Sequence, residues 1–155
     1  MTQKSAVKIV SRGQTGVDRA ALNVALKLGF ACGGWCPKGR LAEDGTISTR
    51  YPLFQTTSED ALDSIEWNVR DSDGTLILTL GRPKGDTALT IESALKLHRP
   101  CLVVDLTVPV NRQSARLWVL HNQIRTLNVS GPLGSEHPEG YFLAEEFLHD
   151  MLQDD

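Results

Sequence analysis

Two glycines, Gly13 and Gly16, lie in a short polar turn between an apolar run and an amphipathic helix. After the turn, apolar residues recur at the spacing of one helix face. The N–H groups that begin a helix have no intrahelical partner and carry the positive end of the helix dipole, so they bind anions. We therefore expect this turn to hold the phosphate of a small molecule. The predicted contacts are Gly13, Gln14, Thr15 and Gly16.

A second glycine loop, at residues 81–87, precedes another helix and repeats the same arrangement. Neither loop has the spacing of a P-loop or of the dinucleotide-binding fingerprint. Glu92 lies in the helix after this loop, where it is either a solvated helix residue or a catalytic acid or base. The predicted ligand contacts in this part of the chain are Gly81, Lys84, Gly85, Thr87 and Thr90.

Further polar and aromatic residues near the glycine loops suit a phosphorylated ring. Asp18 either completes a capping box with Thr15 or contacts the ligand. Trp35 is either part of the core or a stacking surface, and Asn68 either ends its helix or binds a metal that the ligand carries. The basic side chains of the loop at residues 36–57 suit phosphate or oxyanion binding. These candidates are Asp18, Arg19, Trp35, Lys38, Gly39, Arg40 and Asn68.

Length and composition indicate one globular domain over residues 1–155. The net charge of −3 gives no reason to expect binding to nucleic acid or to an anionic membrane. No apolar run approaches the roughly 20 residues that span a bilayer. Residues 1–5 precede only a short apolar run, so we expect no signal peptide and a cytoplasmic location. The spacing of the three cysteines fits no zinc pattern, and no metal site is predicted.

Strand and helix patterns alternate regularly along the chain. This alternation predicts an α/β fold, a three-layer Rossmann-like sandwich with a mainly parallel sheet of about five strands. Ligands of such sheets bind beyond the carboxyl ends of the strands, where the strand order reverses. The glycine loops follow the first and third strands, and they share a ligand only if these strands are neighbours. The order 2-1-3-4-5 is therefore favoured, with 3-2-1-4-5 as the main alternative.

Several segments match the motifs of one protein family across nearly the whole chain. The most specific are Gln-Thr-Gly-Val-Asp-Arg-Ala at residues 14–20 and Gly-Trp-Cys-Pro-Lys-Gly-Arg at residues 34–40, and others lie at 67–77, 85–90 and 127–132. The chain thus resembles the molybdenum carrier family, which is related to the lysine-decarboxylase-like phosphoribohydrolases. The resemblance implies a Rossmann-like fold, a homo-oligomer and binding of molybdenum cofactor (molybdopterin), a phosphorylated pterin. It also implies a molybdoenzyme as the acceptor of that cofactor.

Arg12 and Asp86 depart from the family's pattern, because each stands where a glycine is expected. Three functions are compatible with the sequence. The first is a carrier that binds the cofactor without turnover. The second is an enzyme that cleaves a nucleotide, with Glu92 and Asp18 as acid/base or ribose-positioning groups, and the third is a nucleotide-sensing domain that acts through a partner. The carrier is favoured, since the match to the phosphoribohydrolase loop is loose.

Overall fold

The computed structural model describes residues 7–153 of the 155-residue chain. Residues 1–5, where we expect no signal peptide, lie outside the described part. The elements in chain order are β1 (Lys8–Val10), α1 (Val17–Leu28), β2 (Ala31–Gly33), β3 (Trp35–Cys36), β4 (Leu41–Ala42), β5 (Gly45–Thr46), β6 (Phe54–Gln55), α2 (Ala61–Arg70), β7 (Gly74–Thr79), α3 (Gly85–Lys96), β8 (Cys101–Asp105), α4 (Arg112–His121), β9 (Thr126–Ser130) and α5 (Gly140–Leu152).

A parallel sheet of five strands, in the order β2-β1-β9-β7-β8, forms the middle layer. Helices α1, α4 and α5 pack together on one face, and α2 and α3 pack together on the other. This distribution is the one that right-handed crossovers produce. The predicted three-layer α/β sandwich with a five-stranded parallel sheet is therefore confirmed. Within residues 7–153, no helix is both long enough and apolar enough to span a bilayer.

The strand order differs from both expected orders, because the last strand of the chain lies in the middle of the sheet. Counted along the chain, the sheet reads 2-1-5-3-4, with β9 paired to β1 on one side and to β7 on the other. Leu127 and Val129 of β9 are fully buried, and the Asn128 side chain donates to Thr75 Oγ1 of β7 at 3.2 Å. Strand pairing is a long-range property, so the local pattern of β9 did not indicate its neighbours.

The helix next to the first glycine turn is bounded by two glycines. α1 spans Val17–Leu28, and Gly29 ends it with a left-handed φ of 83°. Helix α2 is capped by Asp60, whose carboxylate accepts the Leu62 N–H at 2.9 Å.

Candidate functional site

Close backbone packing brings the carboxyl ends of β1, β9 and β7 together. Gly16, directly before α1, has a φ of +82°, and a Cβ there would lie 2.4 Å from the Pro132 carbonyl oxygen. A Cβ at Gly131 would lie 2.2 Å from the carbonyl oxygen of Leu78 in β7. Neither place has room for a side chain, so these two glycines allow the three strand ends to meet. This is the edge of the sheet at which ligands of doubly wound folds bind.

A buried arginine joins the two predicted glycine loops across the end of β9. The Arg12 Nε donates to Asp18 Oδ2 at 3.2 Å, and its Nη1 donates to Asp86 Oδ2 at 3.0 Å. Arg12 is 4% exposed, Asp18 1% and Asp86 37%. The two departures from the family's pattern, Arg12 and Asp86, are therefore partners in one ion pair. This pair lies between the loops where the sequence predicts a phosphate.

Arg12 and Asp18 line a narrow recess at the carboxyl ends of β1 and β9. Two of their buried atoms, Arg12 Nη2 and Asp18 Oδ1, have no hydrogen-bond partner within the described residues. Native proteins satisfy most such atoms, so this pair marks a place where a ligand group can bind. The recess is lined by Arg12, Asp18, Ile65, Asn68, Thr90, Asn128, Val129 and Ser130.

Burial raises the pKa of the Asp18 carboxyl to about 6. The Arg12 guanidinium and the backbone N–H of Gly131 lower this pKa, but they offset the loss of hydration only in part. Asp18 does not form the capping box that was one of its two interpretations. The cap of α1 is Gly16, which makes no side-chain hydrogen bond, and the Asp18 side chain faces the recess instead.

A carboxylate of the chain's own is held at the mouth of the site. Glu43 accepts hydrogen bonds from Thr15 Oγ1, from the Ser135 hydroxyl at 2.5 Å and from the Ser135 N–H at 3.2 Å. These hydrogen bonds lower the pKa of Glu43. Thr15, one of the donors that the sequence assigns to a ligand anion, thus binds an anionic side chain together with Ser135.

The polar residues of the first glycine turn hold the β4–β5 hairpin, residues 41–46, against it. The Gln14 amide donates to the Leu41 carbonyl at 2.8 Å and accepts the Glu43 N–H at 3.3 Å. Arg19 pairs with Asp44 at 2.7 Å and also donates to the carbonyl of Gly13. Gln14, Thr15 and Arg19 are therefore at the predicted site, but their side chains are engaged by the hairpin.

The loop between β9 and α5 adds three consecutive backbone donors. The N–H groups of Leu133, Gly134 and Ser135 donate to Glu136 at 2.8 Å, to Thr15 Oγ1 at 2.9 Å and to Glu43 at 3.2 Å. Neither this loop nor Arg12 is among the site residues predicted from the sequence. The signal available for the loop was its Gly/Pro-rich turn at residues 130–135, and for Arg12 a charge directly after a buried strand.

The candidates on and before α3 fall into two groups. Thr90 lines the recess, donating to the Asp86 carbonyl at 2.8 Å and lying 3.4 Å from Ser130 Oγ. Glu92 is exposed on α3 and does not line the recess, which fits its interpretation as a solvated helix residue. The remaining candidates form the turn into α3, with Thr87 buried, Lys84 and Gly85 exposed, and the Gly81 N–H bonded to Asp105.

The candidates that follow β2 mainly organise the polar loop. The Arg40 guanidinium donates to four backbone carbonyls of residues 47–53 and is not directed at the recess. Lys38 and Gly39 are exposed. Asn68 lines the recess and bonds both backbone polar groups of Trp35. The Trp35 ring packs edge-on against Trp67, with 4.9 Å between the ring centroids.

Within residues 7–153, no group of His, Cys, Asp or Glu side chains is arranged to hold a metal ion. Cys36, a residue of the polar loop, is buried, and burial raises the pKa of its thiol. The arrangement at the strand ends is therefore one of backbone donors, carboxylates and one buried guanidinium. Such groups can bind and orient an anionic or polar ring ligand.

Comparison with known proteins gives two matches. The sequence model of the circularly permutated YpsA SLOG family matches residues 9–152. The chain is also similar to a crystal structure from Syntrophus aciditrophicus SB described as a "Putative molybdenum carrier protein", with 41% identity and a TM-score of 0.91 over 97% of this chain and 98% of that one. None of the curated proteins matches. These two matches confirm the family resemblance drawn from the sequence motifs.

Proposed function

The chain belongs to the circularly permutated YpsA SLOG family, and from that membership we propose that it is a carrier that binds molybdenum cofactor, a phosphorylated pterin, without turnover. The ligand lies beyond the carboxyl ends of β1, β9 and β7. The similar protein from Syntrophus aciditrophicus carries the name of a molybdenum carrier, which supports this ligand class. In this proposal the phosphate is bound by the glycine turn before α1 and by the loop after β9.

The way in which Glu43 is held is the observation that carries the proposal. Its carboxylate accepts hydrogen bonds from Thr15 and from the backbone and side chain of Ser135. Charge-assisted donors of this kind bind phosphate oxygens equally well. Because Glu43 is exposed and reaches the site from the β4–β5 hairpin, a ligand phosphate can replace it without rearranging the core.

One observation favours a nucleotide-processing enzyme as the second candidate. Asp18 is buried, and its pKa of about 6 suits proton transfer near neutral pH. Glu92, the other candidate acid or base, is exposed and does not line the recess. An enzyme at this site would therefore depend on Asp18 and not on Glu92.

Native mass spectrometry of protein purified gently from its own source tests the carrier proposal. A co-purifying phosphorylated pterin, with or without molybdenum, is the expected result. A bound nucleotide would contradict the carrier proposal and favour a nucleotide-cleaving enzyme or a nucleotide-sensing domain. A turnover screen on that nucleotide then distinguishes these two functions. The same spectra give the number of subunits in the homo-oligomer that we propose. Mixing the loaded protein with an apo molybdoenzyme tests whether the cofactor passes to the acceptor, which we propose lies in the cytoplasm.

A substitution at Glu43 tests the location of the phosphate. Glu43→Gln removes the competing charge, and we expect inorganic phosphate to bind about two- to fivefold more tightly, because an exposed charge contributes up to about 1 kcal/mol. Glu59→Gln, which removes an exposed charge outside the site, is the matched control. Equal phosphate affinity in both variants would place the phosphate elsewhere.

A further inference from the structure

We propose that Arg12 and Asp18 together recognise the lactam edge of a ring, the adjacent carbonyl and N–H groups that pterins and guanine share. Arg12 Nη2 donates to the ring carbonyl, and Asp18 Oδ1 accepts from the ring N–H. The inference rests on the proposed function and names the part of the ligand that the recess binds.

The hydrogen bonds already formed leave one nitrogen of Arg12 and one oxygen of Asp18 without a partner. Arg12 uses Nε and Nη1 on the two carboxylates, and Asp18 uses Oδ2 on Arg12. The remaining atoms, Arg12 Nη2 and Asp18 Oδ1, are buried without a partner. Because Arg12 Nε donates to Asp18 Oδ2 at 3.2 Å, the two unpartnered atoms belong to side chains that are hydrogen-bonded to each other. A ligand with an adjacent acceptor and donor satisfies both at once.

The charges around the recess favour a neutral group over an anionic one. The single guanidinium of Arg12 faces two carboxylates, those of Asp18 and Asp86. The lining residues from α2 and β9 are Ile65, Asn68, Asn128, Val129 and Ser130, which carry no charge. A phosphate placed here would bring like charge against the carboxylates, whereas a lactam offers Asp18 a proton donor.

Asp86 pairs with Arg12 beside the recess but does not line it. The unpartnered atoms of Arg12 and Asp18 are shielded from solvent, while Asp86 is 37% exposed at the start of α3. In this proposal the pair between Arg12 and Asp86 opens when the edge of a ring reaches the two unpartnered atoms. A neutral residue at position 86 weakens that pair and should favour binding.

Calorimetric titration of the full chain with matched probes tests the inference. The probes are pterin and 3-methylpterin, and guanosine monophosphate and its 1-methyl derivative, because methylation replaces the ring N–H by N–CH3 and keeps the adjacent carbonyl. We expect at least about tenfold weaker binding of each methylated probe, the effect of losing a hydrogen bond to a charged group. Binding of pterin alone, or of both parent rings, identifies which source of the lactam edge the recess accepts, and either result supports the inference.

Three variants test which residues determine the binding of pterin. Asp18→Asn should weaken pterin binding about tenfold and reduce the discrimination against the methylated probe. Asp86→Asn should strengthen pterin binding. Glu59→Gln removes one negative charge from an exposed position outside the site and should leave pterin binding unchanged. Because Asp86 is partly exposed, its variant keeps the test decisive even where Asp18→Asn folds poorly.

Equal affinity for methylated and unmethylated probes, or no binding of any probe, overturns the inference. Two results distinguish this inference from the proposed function. If a phosphorylated pterin co-purifies but pterin and 3-methylpterin bind equally well, the carrier proposal stands and the lactam contact is refuted. If no pterin co-purifies and only guanosine monophosphate binds better than its methylated form, the lactam contact stands and the carrier proposal is refuted.

Discussion

The buried carboxyl of Asp18 should make the stability of this protein fall as the pH rises. Its pKa rises from 3.8, the value expected in the unfolded chain, to about 6 in the folded protein, mainly because of burial. A carboxyl whose pKa is raised on folding favours the folded state below the unfolded value, and this contribution is lost as the pH rises through the folded one. The difference corresponds to about 3 kcal/mol.

Comparison of the chain with its Asp18→Asn variant isolates this contribution. Other carboxyls, Glu43 and Asp71 among them, have lowered pKa values and act in the opposite direction, but they are common to both proteins. Urea denaturation between pH 4 and pH 8 should show the free energy of unfolding of the natural chain falling by about 2 kcal/mol relative to the variant, most of the full difference. Parallel profiles of the two proteins would refute the reasoning, since they would mean that Asp18 has the same pKa in both states.

Three further variants test the glycine turn, the polar loop and α3. Gly16→Ala should destabilise the protein by roughly 2 kcal/mol or more in urea denaturation, because its Cβ would meet the Pro132 carbonyl at 2.4 Å and its φ is +82°; an unchanged midpoint would contradict the close approach. Arg40→Ala removes hydrogen bonds to four backbone carbonyls and should speed proteolysis within residues 47–53. Phosphate affinity should stay the same, and a loss of affinity would mean that Arg40 contacts the phosphate. Glu92→Gln should change stability by less than about 0.5 kcal/mol and leave any turnover intact, and a loss of turnover would restore Glu92 as a catalytic group.

Local signals in the sequence were sufficient for the layers of the fold. The helix α1 is bounded by Gly16 and Gly29, whose conformations are set by the absence of a Cβ. The six residues of β7 are all buried, as the aliphatic run at residues 76–78 within them indicates. Neither signal reports which strands are neighbours. The place of β9 between β1 and β7 depends on contacts between residues far apart in the chain.

The candidate site was predicted in part, for the same reason. The glycine turns could be recognised because their backbone requirement is local. The partners of Thr15 and Arg12 could not, since Glu43, Gly134 and Asp86 come from other parts of the chain. Arg12 and Asp86 both depart from the family's pattern, and the sequence did not indicate that they form one ion pair. Arg40 shows the converse error, because a basic residue in a polar loop is satisfied by backbone carbonyls as readily as by a phosphate.

Circular permutation explains why the last strand lies at the centre of the site. When β9 and α5 are counted first, the sheet order β2-β1-β9-β7-β8 becomes 3-2-1-4-5, the alternative that the sequence analysis considered. In a sheet of that order the turn after the first strand meets the ligand where the strand order reverses. Here that turn follows β9, and its consecutive N–H groups bind oxygen atoms of Glu136, Thr15 and Glu43. The loops after β1 and β7 flank it, which is why Arg12 and Asp86 meet across its end. The position of a strand in the sheet, and not its place in the chain, therefore decides which turn lies at the centre of the site.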